Sequence, residues 1–223
     1  AAYALLSALF FKRPVPETMS GAAAASYYNS VNIGLPIATY VLGDPTYVVP
    51  ALVLQMAVLS PIVIGGLDRG SSGFLRSVLS GLTAPVVLAA FAGFAVSAAG
   101  WTVPEPVLAP LKILGGASIP LILMSFGASL TGEKVLQSHR APTLTATALK
   151  LVGMPVVALV VATLLHLDAT ETYAALILCA LPTAQNVYNY AATYRSGEVI
   201  CRDTVFLTTF LALPAMLLIA GVF

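Results

Sequence analysis

Long apolar runs dominate this sequence and limit the folds that are open to it. Short polar segments separate a brief N-terminal run from seven longer ones: 1–11, 21–43, 47–67, 83–100, 106–129, 142–166, 172–194 and 203–223. A helix needs about 20 apolar residues to cross the hydrocarbon core of a bilayer. Only 9% of the residues are charged, whereas soluble domains carry about 25%. The sequence therefore predicts an all-α membrane protein with the lipid bilayer as a partner.

Several function classes have no support in the sequence. The formal net charge is +1, which gives no basis for binding nucleic acid. Cys179 and Cys201 lie in apolar sequence and are too few for a zinc cluster. The sequence contains neither a GxSxG nor an HExxH motif, so nothing predicts a membrane enzyme. We expect no metal, no cofactor and no catalytic residues.

The basic residues predict the orientation of the chain. Eight of the ten fall in alternate loops: Lys12, Arg13, Arg69, Arg76, Lys134, Arg140, Arg195 and Arg202. The intervening loops contain acidic residues but no Lys or Arg. Because Lys and Arg collect on the cytoplasmic side, the loops at 68–82, 130–141 and 195–202 are predicted to be cytoplasmic. The protein would then be a multi-pass protein of the cell (inner) membrane with its C-terminus outside.

Two of the apolar runs contain a similar proline motif. The first has NIGLPIA at 32–38, and the second has ALPTAQN at 180–186. Proline removes a backbone hydrogen bond and clashes with the preceding turn of a helix, so both helices are predicted to break at Pro36 and Pro182. The run that follows each motif also has a central proline, Pro61 and Pro214. The similarity therefore extends over a pair of helices.

The spacing of the two motifs predicts an inverted repeat. They lie five helices apart, and an odd number of crossings gives them opposite directions in the membrane, as in many secondary transporters. Residues 1–67 would be the end of a first five-helix repeat, and 68–223 would be the second. We therefore predict a five-plus-five inverted-repeat transporter with two crossing broken helices. About seven of its ten transmembrane helices are present, and the N-terminal helices are missing.

Convergent helix breaks predict a site for an anion. A helix that restarts inside the membrane exposes free N–H groups at a positive dipole end, and two inverted copies would direct these ends at one point. The candidate residues are Asn32, Gly34, Pro36, Pro182, Thr183, Gln185, Asn186, Asn189 and Tyr190. The alternative is that these polar side chains only satisfy backbone groups freed by the breaks. For any single residue the sequence leaves both roles open.

Two further polar residues lie inside apolar runs. Lys150 is about 12 Å below the cytoplasmic surface if its helix begins near Pro142 and rises about 1.5 Å per residue. It either extends toward the headgroups or pairs with a carboxylate of the substrate or of a missing helix, as a charge partner of the site. Gln55 either lines a cavity or forms an interhelical hydrogen bond.

The motifs resemble those of the auxin efflux carrier family, which includes plant PIN-FORMED proteins and bacterial organic-anion carriers. NIGLP and LPTAQNVYNYAATY, followed by CRDTVFLTTFLALPAMLLIAG, carry the resemblance. It implies two inverted five-helix repeats whose fourth and ninth helices are broken where they cross. Asn32, Pro36 and Pro182 match the crossover residues of the family. The implied substrate is a small organic anion, either an auxin-like monocarboxylate or a dicarboxylate such as malate or malonate.

Two other functions remain to be compared with this one. A sodium-coupled bile-acid-type symporter or a cation/proton exchanger has a similar fold, but such symporters carry Glu four residues before a Gln-Asn pair. Here that position is Leu181, before Gln185-Asn186. A non-transporting membrane subunit would not need two symmetry-related breaks. The sequence does not determine the oligomeric state, for which a homodimer is one candidate.

Overall fold

The structure, a computed structural model, describes residues 1–68, 79, 82–83, 85–129, 131 and 134–223. Arg69 and Arg76, which we predicted to be cytoplasmic, lie outside the described residues. The described part of the chain is helical and contains no strand. We number its helices in chain order: α1 Ala2–Phe11, α2 Val15–Ser26, α3 30–40, α4 Pro45–Leu67, α5 Pro85–Ala98, α6 Glu105–Ser129, α7 Arg140–Leu164, α8 Ala169–Cys179, α9 Gln185–Thr193 and α10 Glu198–Ala220.

Helices α4, α7 and α10 are long and apolar enough to cross a membrane. They contain 23, 25 and 23 residues, and at about 1.5 Å per residue each exceeds the roughly 30 Å of a hydrocarbon core. Val152 and Leu164 on α7 and Leu218 on α10 are exposed, as expected for side chains that face lipid. The prediction of an all-α membrane protein is confirmed. The inverted repeat and the total number of spans stay predictions.

Small side chains form the centre of the bundle. Ala24, Ala146 and Ala191 come from α2, α7 and α9, and none is more than 1% exposed. Helix α10 contributes the fully buried Cys201 to the same cluster. In a membrane the surrounding lipid is as apolar as a side chain, so close packing through small residues holds helices together. This packing brings α2 and α9, which belong to the two predicted repeats, into direct contact.

Three prolines lie within continuous helices because the turn before each one is widened. The π-helical segments Ser30–Gly34, Gln55–Leu59 and Leu149–Gly153 end two residues before Pro36, Pro61 and Pro155. Proline has no N–H for the usual bond and clashes with the carbonyl four residues earlier. Bonding to the fifth residue instead widens the turn. The helix therefore continues through Pro36, contrary to the prediction that it breaks there.

Helix α10 begins earlier than the sequence predicted. Residues 195–202 were assigned to a loop, but the helix starts at Glu198, and Arg202 and Asp203 are buried. Asp203 Oδ1 accepts a hydrogen bond from Arg202 Nε at 2.9 Å, and its Oδ2 accepts one from Leu136 N at 2.8 Å. These contacts satisfy the carboxylate inside the protein. The adjacent charged residues Arg202 and Asp203 therefore lie inside the helix and do not mark the end of the loop.

Candidate functional site

The two broken helices contact each other at their breaks. Asn29 N donates a hydrogen bond to Pro182 O at 2.9 Å, which joins the backbones of the two breaks. A Cβ atom at Gly34 would lie 3.1 Å from Leu181 Cδ1 and 3.2 Å from Asn29 O. Such contacts are tighter than a Cβ atom normally makes, so a larger residue at Gly34 would require its neighbours to shift by a few tenths of an ångström. The breaks therefore form one junction, which we call the crossover.

The first break lies upstream of the proline motif. The chain leaves helical geometry at Tyr27, which is extended, and resumes it at Ser30. Asn29 is the N-cap of the new helix, and its side chain accepts a hydrogen bond from Asn32 N at 3.2 Å. Asparagine is among the preferred N-cap residues because its side chain satisfies an orphan N–H group. The sequence Asn-Ser-Val-Asn at 29–32 was the signal that could have located this break.

The second break matches the predicted position. Helix α8 ends at Cys179 and α9 begins at Gln185, with Pro182 in the non-helical segment between them. Thr183 anchors this segment on both sides: its N–H donates to Thr208 Oγ1 at 3.0 Å, and its Oγ1 donates to Ala24 O at 2.7 Å. Thr183 is buried and does not line the cavity described below. Its contacts are those of a residue that satisfies backbone hydrogen-bonding groups at the break.

Gln55 fills both of the roles between which the sequence could not choose. It is 4% exposed, and its Oε1 accepts a hydrogen bond from Tyr28 N at 3.0 Å, inside the first break. Its Nε2 donates to Ser30 Oγ at 2.7 Å. Gln55 also lines the crossover cavity. It comes from α4, so neither contact could be found from the sequence around the break.

A cavity of about 190 Å³ lies at the crossover. Its lining is rich in amide and hydroxyl groups and consists of Tyr27, Tyr28, Asn29, Ser30, Val31, Asn32, Gln55, Met56, Ala184, Gln185 and Asn186. None of these side chains is charged. Three predicted residues are therefore brought together here, since Asn32 Nδ2 also donates to Gln185 Oε1 at 3.3 Å and Asn186 lies beside them.

The cavity lies between the first turns of two helices. Ser30, Val31 and Asn32 are the start of α3, and Gln185 and Asn186 are the start of α9. The first N–H groups of a helix have no intrahelical partner, and this end carries positive dipole charge. The arrangement can hold a small polar or anionic group between two positive helix ends.

The remaining predicted site residues do not line the cavity. Tyr190 packs in the core, with its hydroxyl 3.4 Å from Ser60 Oγ, and Asn189 is half-buried on α9. Gly34, Pro36, Pro182 and Thr183 lie outside the lining, and Pro36 is exposed. Tyr28, Asn29 and Ser30 take part in the site although we did not select them from the sequence, whereas Gln55 was considered there as a possible cavity residue. Within the described residues, no group of three or more His, Cys, Asp or Glu side chains could hold a metal ion.

Lys150 lies behind the cavity wall and is fully buried. Its Nζ donates to Cys179 O, the last residue of α8, at 2.7 Å. The same atom lies 5.7 Å from the centre of the Tyr28 ring, on the other broken segment. The lysine therefore does not extend toward the headgroups, and its contacts lie at the crossover.

A model of a known protein family matches the larger part of the chain. Residues 74–220, about two thirds of the chain, match the family model described as membrane transport protein. The match includes α5 to α10 and therefore the second break, while α1 to α4 lie outside it. No curated protein matches the chain. The chain belongs to the membrane transport protein family, the auxin efflux carrier family whose motifs its sequence resembles.

Proposed function

We propose that this chain is part of a secondary carrier that moves a small organic carboxylate anion across the membrane by alternating access. Membership of a family of membrane transporters supports transport as the activity. The family match does not specify the substrate. The choice of a carboxylate rests on the crossover cavity.

The observation that carries the proposal is the position of the cavity between two helix starts. An anion there would meet N–H groups and positive dipole ends from α3 and α9. Side-chain amides of Asn32 and Asn186 add uncharged donors. Because none of the described residues that line the cavity has a charged side chain, binding would be reversible rather than locked by an ion pair. A carrier needs such release.

The size of the cavity favours a small substrate. Its volume of about 190 Å³ is several times the roughly 30 Å³ that one water molecule occupies in the liquid. A small mono- or dicarboxylate fits this space. The proposed cycle exposes the cavity to each side of the membrane in turn, as residues 1–67 and 68–223 rock against each other as inverted repeats.

We also propose the orientation that the basic residues predict, with the C-terminus outside and the loop at 130–141 in the cytoplasm of an inner-membrane protein. A sodium-coupled symporter of similar fold is the second candidate. No observation in the described residues favours it, because the position that would carry Glu is Leu181. This residue is fully buried in an apolar cluster with Ala38 and Val48.

A thermal-shift experiment on the full-length protein in nanodiscs tests the substrate class. Malonate, malate and indole-3-acetate are added, each beside its uncharged amide. A ligand at one hundred times its Kd stabilises the folded state by about 2.7 kcal/mol, enough to raise Tm by several degrees. We expect at least one acid, and none of the amides, to do so.

A pair of variants on one helix locates the binding. Asn186→Ala alters the cavity lining, whereas Asn189→Ala lies three residues along α9 and outside the lining. We expect the first to reduce the shift and the second to preserve it. Equal shifts with acids and amides, or an equal loss in both variants, would contradict the proposal.

A further inference from the structure

Lys150 contacts both broken helices although it belongs to neither. It lies in the π-helical segment Leu149–Gly153 of α7, the helix before α8, and α8 ends at the second break. Its Nζ bonds to Cys179 O at the end of α8 and lies over the ring of Tyr28 in the first break. Tyr28 in turn lines the crossover cavity. One side chain therefore links the two halves of the crossover from behind the cavity wall.

The partners of Lys150 carry only partial negative charge. The C-terminal end of a helix has a negative dipole and unsatisfied carbonyl groups, which attract a cation. The face of an aromatic ring also attracts a cation, and more strongly where water is excluded. Within the described residues, Lys150 forms no ion pair with a carboxylate. These two contacts therefore hold the amino group of Lys150 close to the cavity.

We propose that Lys150 is a positioning residue of the crossover: its ammonium group ties the end of α8 to Tyr28 and presents a fixed positive charge behind the cavity wall. Removing the ammonium group would release both contacts together, because one atom makes both. The carbonyl end of α8 and the ring of Tyr28 would then move independently. The inference rests on the proposed function only for the use of the cavity by an anion.

Hydrogen–deuterium exchange tests the positioning role without any substrate. The full-length protein in nanodiscs is compared with Lys150→Gln, which keeps a hydrogen-bond donor but no charge, and with Lys150→Met, which keeps neither. We expect exchange in peptides covering 27–32 and 178–186 to be about tenfold faster in Lys150→Gln, as the loss of one cation–π contact predicts. Lys150→Arg keeps the charge with a different geometry and should restore protection in part.

Thr147→Val provides the matched control. Thr147 lies on the same helix and is 7% exposed, and among the described residues its hydroxyl bonds within α7, to Thr143 O. We expect exchange at the two breaks to stay at the wild-type rate in this variant. If Lys150→Met does not fold, Lys150→Gln decides the result. Unchanged exchange at 27–32 in Lys150→Gln, or equal acceleration in Thr147→Val, would overturn the proposal.

A measurement of acid binding separates the role of the Lys150 charge from the role of its two contacts. For the acid that stabilises the wild-type protein, we expect Lys150→Gln to weaken binding about tenfold and Lys150→Arg to weaken it less. Equal affinity in Lys150→Gln and the wild-type protein would remove the electrostatic part of the proposal. If no acid binds the wild-type protein, the proposed function fails, while the exchange experiment still decides whether Lys150 positions the crossover.

Discussion

Gln55→Met removes the hydrogen bonds through which α4 supports the first break. Methionine has a similar length and volume, so the substitution removes the polar partners and leaves little space. Tyr28 N loses its acceptor at 3.0 Å, and Ser30 Oγ loses a donor at 2.7 Å. Tyr28 and Gln55 are both buried, so the crossover cavity that they line is where a replacement partner would have to come from.

The loss in the free energy of unfolding depends on whether each group that loses its partner can form another hydrogen bond. The N–H group of Tyr28 lies in a non-helical segment and has no helical carbonyl to turn to, so leaving it unsatisfied costs about 1–3 kcal/mol. The hydroxyl of Ser30 can rotate toward another acceptor, and its loss is nearer the 0.5–1.5 kcal/mol of an ordinary hydrogen bond. We expect Gln55→Met to lower the free energy of unfolding by about 2–4 kcal/mol.

Unfolding by SDS in mixed micelles, followed by circular dichroism, measures this change. Gln137→Met makes the same chemical substitution at an exposed loop position and should change the free energy of unfolding by no more than about 0.5 kcal/mol. If Gln55→Met is as stable as this control, then Gln55 does not support the break in the way the distances indicate. Adding Ser30→Ala completes a double-mutant cycle that separates the two bonds.

Two further predictions concern the junction and the orientation. Gly34→Ala should destabilise the protein by about 1–3 kcal/mol, because the new methyl group would overpack the crossover, at 3.1 Å from Leu181 Cδ1. Gly93→Ala, where no atom lies within 4 Å of the new methyl group, is the control in the same SDS titration, and equal stability of the two variants would refute the packing argument. In a variant that lacks Cys179 and Cys201, Gln137→Cys should react with a membrane-impermeant thiol reagent only after cells are opened. Labelling of intact cells would reverse the proposed orientation.

The local sequence was sufficient to predict the class of protein and part of the site. Apolar runs of membrane length require helices, since backbone groups in lipid must be satisfied within the segment. The second break was also predictable, because ALPTAQN at 180–186 contains a proline that no adjacent turn accommodates. Asn32, Gln185 and Asn186 could be selected as candidates because polar side chains in apolar runs need partners or water, and all three line the cavity.

The position of the first break depended on competition between local signals. Pro36 predicted a break, but a widened turn at Ser30–Gly34 absorbs the missing hydrogen bond. The chain instead unwinds upstream, where Gln55 from α4 satisfies Tyr28 N and Pro182 O accepts from Asn29 N. A break forms where the tertiary structure supplies replacement partners, so the proline alone could not determine its place.

Contacts between distant parts of the chain determined how the two breaks join and which groups Lys150 contacts. The sequence by itself determined that helices span a membrane and that two of the apolar runs share a proline motif, since both follow from residues close together along the chain. Only the tertiary structure decided that the breaks join through Asn29 and Pro182, and that Lys150 bonds to the carbonyl end of α8. Such pairings depend on how helices pack, and the small residues that allow close packing do not specify which polar groups will meet.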